Sequence, residues 1–469
     1  MSLLRLTGVD KVGVVVVRII AALVFLICLL PGVSTAGYDY INISNPFLFK
    51  IPVAVPVFKA MTHTPAPNVQ ASTNGDTGPA SLESAIARDA ADLLAGTLVF
   101  TRYFEIIDRA AFIEEPAEKG ITLEEVNCKN WRDIEAEFLI TGGVSLRNDV
   151  MSLELRLIDV FKERMLIGKK YKGRASDQRT MVRRFCSEIM KRFTGGPGIF
   201  ESRIAFVSTG TGHKEIYTCD FDGYNPQQLT HDNSINLSPA WSADGRWLAY
   251  TSYRKGHPDL YIKHLTENRG VVFSRDGVNI SPAWKPDAFS LAATLSFSGD
   301  QEIYLLTGTG KILKQLTRSW GIDVSPTFAP DGERIAFVSN RSGSPQIYIQ
   351  DIASGATQRL TFEGGYNTTP DWAPKKNRIA YCAMEAGEFN IKVIDIETKE
   401  IVGLTGGQGD NESPSWSPDG SLIAFSSTRE GGVPKIFVMS AAGTDQKRLL
   451  NLPGKQTCPR WSPSVAAGE

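Results

Sequence analysis

Short apolar strands recur through the second half of the chain at a fixed phase. They read WLAY from Trp247, LAAT from Leu291, RIAF from Arg334, RIAY from Arg378 and LIAF from Leu422. Each is apolar on both faces, which a sheet needs only when it is covered on both sides. A second strand follows a polar loop, at Ile216-Tyr217, Leu260-Tyr261, Ile303-Tyr304, Ile347-Tyr348, Ile391-Lys392-Val393 and Ile436-Phe437. A third ends in QLT or a relative, at Gln228, Gln315, Arg359, Gly403 and Arg448. Every unit is anchored by a proline, Pro239, Pro282, Pro326, Pro370, Pro414 and Pro459, at steps of 43, 44, 44, 44 and 45 residues. An aromatic stands two places after each proline (Trp241, Trp284, Phe328, Trp372, Trp416, Trp461), and three units continue into an Asp-Gly turn at Asp244, Asp331 and Asp419. Glycine there tolerates the positive φ that such hairpin turns require. Four short strands in a repeat of this length predict a β-propeller blade.

The phase of the repeat predicts how the ring closes. It opens at Arg203 with RIAF, without its own proline strand, and ends at CPRWS from Cys458, with nothing after that strand. The last strand supplies what the first blade lacks, so six blades are expected with neither sheet edge left open. A solenoid would also stack sheets, but it needs atypical polar caps at its ends, and none is visible.

The first half has a mixed pattern. IPVAVPVF from Ile51 predicts a strand, and residues 81–94 predict a helix with Leu82, Ile86, Ala90 and Leu93 on one stripe. EFLITGGVSL, MSLELRLID and RMLIGKKYKG predict successive strands. A second helix is expected from an N-cap near Ser176, burying Val182, Phe185 and Ile189 and stopping at Gly195. The expected fold is therefore an N-terminal α/β domain followed by a six-bladed β-propeller closed by the C-terminal strand. The expected divisions are a signal peptide at 1–36, the α/β domain at 37–194, a GGPG hinge at 195–202 and the propeller at 203–469.

The N-terminus departs from both patterns. Arg5, Lys11 and Arg18 precede an apolar run from Ile19 to Leu30, which Pro31 and Gly32 break before Ser34-Thr35-Ala36. This predicts a secretory signal cleaved after Ala36; the alternative is an uncleaved anchor, though Arg18 leaves a short span. Ile27 before Cys28 argues against a lipoprotein signal. The whole chain carries a formal charge of -1. Loss of three bases and one acid with residues 1–36 would leave the mature protein at -3, which gives no sign of nucleic-acid binding or of a polybasic membrane surface. Cys128, Cys186, Cys219, Cys382 and Cys458 are widely spaced and form no CxxC pair. Lone buried thiols are expected for most, with a Cys128–Cys186 bridge as the alternative in an oxidising compartment.

Recognisable catalytic chemistry is scarce. The mature chain has no Gly-x-Ser-x-Gly elbow, HExxH, P-loop or GxGxxG after a strand, and its histidines, His63, His213, His231, His257 and His264, lack metal spacing. No enzyme activity, metal or cofactor is expected. A ring of loops around a channel remains as the candidate surface. The residues before each proline enter the innermost strand at one mouth: Asn236 and Leu237, Asn279 and Ile280, Asp323 and Val324, Asn367 and Thr368, Asn411 and Glu412, Gln456 and Thr457. Turn capping is the competing role for the Asn and Asp side chains.

Taken together, the secretory signal, the α/β domain, RIAFVS after a Gly-Pro hinge, CDFDGYNPQQLT from Cys219 and SPAWSADG from Ser238 resemble the TolB family of the Tol-Pal system. The resemblance covers nearly all of the mature chain, and Asp222-Gly223-Tyr224-Asn225 is its most specific stretch. It implies a non-enzymatic periplasmic adaptor that binds the lipoprotein Pal through the propeller and TolA through the mature N-terminus. It also implies support of outer-membrane integrity and of constriction at division. Other envelope proteins and bacteriocins are further implied partners, with no nucleic acid and no membrane insertion after signal cleavage. Carried onto this chain, Pal-facing positions fall at Asn279, Ile280, Ser281, Val324 and Ser325, with Asp323, Asn236 and Asn367 at the same mouth. The TolA-binding strand would be Tyr38, Asp39, Tyr40, Ile41, Asn42 and Ile43, suited to addition at a partner's sheet edge although it departs from the family's sequence there. The alternative reading is a periplasmic propeller that binds a sugar or peptide, or an unrecognised hydrolase.

Overall fold

A computed structural model describes residues 50–61 and 79–464 of the chain. The expected signal peptide and the Tyr38–Ile43 segment lie outside the described residues.

The first part is a sheet with two long helices packed on it. Its strands are β1 (Ile51–Ala54), β2 (Lys59–Ala60), β3 (Phe104–Ile106), β4 (Phe138–Arg147), β5 (Val150–Asp159) and β6 (Arg164–Arg174). The order is β3-β1-β4-β5-β6, with β2 also pairing β4. β1 runs parallel to β3 and β4, whereas β4, β5 and β6 form an antiparallel meander. Parallel pairing needs a crossover, and helix α1 (Pro79–Phe100) supplies it between β2 and β3. After the single-turn helices α2 (Pro116–Lys119) and α3 (Cys128–Arg132), the second long helix is α4 (Gln178–Thr194). Ala87, Ala90, Ala91, Leu94 and Leu98 of α1 join Val182, Phe185 and Ile189 of α4 over Val53, Ile140, Leu153 and Leu155 of the sheet.

Helix α1 runs beyond its expected end near Leu94. Gly96 costs about 1 kcal/mol of helix propensity, but fully buried Leu98 and nearly buried Phe100 outweigh it. Helix α4 stops where expected, on Gly195 at φ 76°, whose N–H bonds the Lys191 carbonyl. Cys128, Cys186, Cys219 and Cys382 are buried free thiols. Cys128 and Cys186 belong to separate apolar clusters, so the bridge held open on sequence grounds does not form.

The remainder forms six four-stranded antiparallel sheets. Labelling strands a to d outward from the bore, the second blade is Asn236–Trp241, Trp247–Ser252, Asp259–His264 and Gly270–Phe273, and four further blades follow in sequence. The first blade takes its inner strand from the far end of the chain: Gln456–Trp461 pairs antiparallel with Arg203–Ser208. Blades adhere through the repeated aromatics, which are 5–8% exposed. Each contributes about 4–6 kcal/mol of gross burial. Polar contacts add direction. Trp241 Nε1 donates to the Arg460 carbonyl at 2.9 Å, and Trp416 Nε1 to the Asp371 carbonyl at 3.2 Å.

The α/β domain rests on the c–d turns of the first and sixth blades. Phe221 meets Phe100 and Phe200 edge-on, and Ile199 and Phe200 of the connecting segment are fully buried. Arg179 holds Asp222 at 2.6 Å and stacks 4.1 Å over Tyr224, Arg183 reaches Asp220 at 3.0 Å, and Arg102 donates to the Asp445 carbonyl at 2.9 Å.

Candidate docking face of the propeller

Because each blade is an up-and-down meander, its a–b and c–d turns lie at one end of the ring, on the side of the α/β domain. The b–c loops and the d–a connections lie at the other end. The expected mouth residues begin the inner strands at this second end.

The first residue of every inner strand is buried rather than presented. Asn236, Asn279, Asp323, Asn367, Asn411 and Gln456 are all 0–1% exposed. The side chains of Asn236, Asn279, Asp323 and Asn367, expected at the mouth, are therefore turned into the fold and are not presented at its surface. Asn236, Asn367 and Asn411 tie the d–a connection to strand c of the preceding blade, while Asn279 donates to the Pro258 and Arg275 carbonyls at 3.1 and 2.7 Å. Asn236 donates to Glu215 at 3.0 Å, and Glu215 also accepts the Thr230 hydroxyl. Asn367 and Thr361 both donate to Gln346, at 2.9 and 2.8 Å. Asn411 and Thr405 both donate to Asn390, at 3.2 and 3.1 Å. The amide N–H groups are thus spent on capping within the fold, while one side-chain oxygen of each of Asn236, Asn279, Asp323 and Asn367 is buried without a partner among the described residues.

The fourth blade departs from this rule, since Asp323 stands where the others have an amide. Its carboxylate accepts Arg341 at 2.6 Å, while Glu302 accepts Thr317 Oγ1 and the Ser319 N–H, both at 2.6 Å. Burial, and then the neighbouring Asp323, hold the Glu302 carboxyl above its usual range.

The next two residues of each inner strand are half-buried and reachable. They include the expected Ile280, Ser281, Val324 and Ser325. The third residue is left-handed in all six: Ser238, Ser281, Ser325, Thr369, Ser413 and Cys458 have φ of 47–55°. A bulge falls there in every inner pair, so two residues oppose one and the strand bends at the mouth. Five of the six are Ser or Thr.

Around that ring lie residues that the repeat pattern did not single out. Trp320 is 74% exposed and Phe362 69%, with Ile322, Tyr366, Phe297 and Met384 at 39–44%. They sit on neighbouring loops of the third, fourth and fifth blades. Contiguous exposed apolar side chains mark a contact surface, whereas scattered ones do not. The readable signal was an aromatic in the d–a connection, where the first such connection has His231-Asp232-Asn233. Charge borders the arc unevenly. Arg254, Lys255, Arg275 and Arg318 are exposed on one side, and Glu363 and Glu385 on the other.

The opposite mouth holds a cavity of about 570 Å³ walled by the repeated aromatics and prolines, with Pro197 and Gly198 at its edge. Arg460 meets Asp371 at 2.8 Å across the bore, skipping the intervening sixth blade. Burial raises the Asp371 carboxyl despite that arginine. Among the described residues, no group of three His, Cys, Asp or Glu side chains is placed to hold a metal ion, and no helix is long and apolar enough to cross a membrane.

The fold is a six-bladed β-propeller carried by an N-terminal α/β domain, with an exposed arc of apolar side chains bordered by charge on the opposite face. The chain belongs to the TolB family: it matches the TolB amino-terminal domain over residues 39–166 and the TolB beta propeller domain over residues 190–465. It is 69% identical over 451 residues to the Tol-Pal system protein TolB of Desulfosudis oleivorans, covering 96% of this chain and 99% of that one. The Syntrophus aciditrophicus protein of the same name is 39% identical over 242 residues, half of each chain. The crystal structure of TolB from Acinetobacter baumannii superposes with a TM-score of 0.74 at 26% identity, over 88% of this chain and 97% of that one. The protein is thus a component of the Tol-Pal system.

Proposed function

We propose that this protein is a non-enzymatic periplasmic adaptor that binds Pal through the b–c and d–a face of its propeller and TolA through its mature N-terminus. In this role it supports outer-membrane integrity and constriction at division. The observation that carries the reading is the exposed arc of Trp320, Ile322, Phe362 and Tyr366 beside Ile280, Ser281, Val324 and Ser325. Exposed aromatics flanked by charges of both signs suit a folded protein partner better than a small ligand, because aromatic anchors carry binding energy and the charges set orientation.

Calorimetric titration with the soluble domain of Pal tests it. Trp320→Asp with Phe362→Asp should weaken binding at least a hundredfold, while Phe289→Asp on the opposite end leaves it unchanged. Equal affinity for all three proteins would refute the assignment of the face. The TolA arm rests on the Tyr38–Ile43 stretch, and removal of residues 37–45 should abolish TolA capture. The two arms are coupled through this segment, so the same deletion should also change Pal affinity; unchanged affinity removes the coupling.

A further inference from the structure

Between the first and second blades lies a pocket of about 380 Å³ that shares only Arg254 with the residues named around the docking arc. Its walls include Tyr250, Tyr261, Arg254, Lys263, Asn268 and Asp232. Tyr250 and Tyr261 are cross-strand partners with rings 5.6 Å apart and 21° from parallel. Tyr250 is 4% exposed, yet its hydroxyl has no hydrogen-bond partner among the described residues, and neither does that of Tyr261. The c-strand tyrosines that match Tyr261 are satisfied within their own blades: Tyr217 donates to Gln228 at 3.1 Å, Tyr304 pairs with Ser298 at 2.7 Å, and Tyr348 donates to Ser342 at 2.8 Å. The b-strand tyrosine that matches Tyr250, Tyr381 of the fifth blade, faces Lys392 across the ladder instead of a second tyrosine, so the stacked tyrosine pair belongs to the second blade. Both hydroxyls open on the pocket with their hydrogen-bonding capacity unspent within the fold, which leaves them available to a ligand of a size the pocket holds.

The chemistry of the walls selects the ligand. Burial and the nearby Asp232 raise the Tyr250 hydroxyl well above its usual range, so it remains a donor. The Arg254 guanidinium has no ion-pair partner among the described residues, and Lys263 Nζ makes one long bond, 3.3 Å to the Leu229 carbonyl. Against these donors stands one carboxylate, Asp232, 3.5 Å from Ser252 Oγ. A bare anion would leave the tyrosines and Asn268 unused, and an apolar ligand would leave every donor unpaired.

We propose that this pocket binds an anionic saccharide, with its carboxylate on Arg254 and Lys263 and its hydroxyls on Tyr250, Tyr261, Asn268 and Asp232. Arg254 also borders the proposed docking arc, so the proposal is tested without Pal. Ligand-observed saturation-transfer NMR on the whole protein compares methyl β-D-glucuronide with methyl β-D-glucoside, which differ only at the carboxylate. The glucuronide should show saturable transfer, at least fivefold above the glucoside. Arg254→Gln should abolish the difference, and Tyr250→Phe with Tyr261→Phe should reduce the transfer at least fivefold. The ring tolerates these changes, because Phe206, Phe337 and Phe425 occupy the Tyr250 place and Phe437 the Tyr261 place in other blades. Absence of transfer, equal transfer from both sugars, variants equal to the parent protein, or full displacement by equimolar acetate would each overturn the proposal.

Discussion

At the scale of single residues, neighbouring blades show what a substitution does. Glu302 and Asp323 form the one acid pair among the polar relays described above, where the other blades use an amide. The folded value of Glu302 is raised, so the folded chain retains a proton that the unfolded chain releases. The stability this confers is present at low pH and is lost as pH rises through the folded value. Glu302→Gln should therefore match the parent protein near pH 4 and surpass it progressively toward pH 7, read as urea midpoints across that window. A constant difference would mean that Glu302 is not titrating there. At the far side of the ring, Arg460→Met strands the Asp371 carboxylate and should cost about 1–3 kcal/mol, less when Asp371→Asn is added, in the same urea assay.

At the scale of elements, the inner strand of the first blade closes the ring. Trp461 is 7% exposed, its indole donates to Ser202 Oγ at 2.7 Å, and its backbone N–H bonds Ser415 Oγ in the sixth blade at 3.0 Å. Trp461→Ala should lower stability by about 3–5 kcal/mol, a loss measurable by denaturant unfolding. The blades and their closure were legible in the sequence because a period of about 44 residues and both-face apolar strands follow directly from burial. The candidate docking residues were legible only in part. A residue that begins an inner strand reads as a rim residue, but the bulge two places later and the Thr of the preceding QLT draw its side chain inward. Ile280 and Val324 escaped that fate. Trp320 and Phe362 were hidden because loops carry no periodicity, and the satisfied or unsatisfied state of Tyr261 depends on loop contacts that spacing does not encode.

Across the described residues of the whole molecule, one face of the ring is given to the α/β domain and the other carries the exposed apolar arc. The joint is built from partly buried ion pairs over aromatic packing, with Arg179, Asp222 and Tyr224 at its edge. Arg179→Ala should cost about 1–3 kcal/mol and speed proteolysis in the 195–202 connection, followed by timed digestion. Hydrogen exchange of the full protein with and without the soluble domain of Pal distinguishes the two faces. Exchange should slow in loops 318–322 and 362–366 and stay unchanged in the a–b turns 242–246 and 285–289. Protection of those turns with the loops unchanged would place the partner on the wrong face for this assignment.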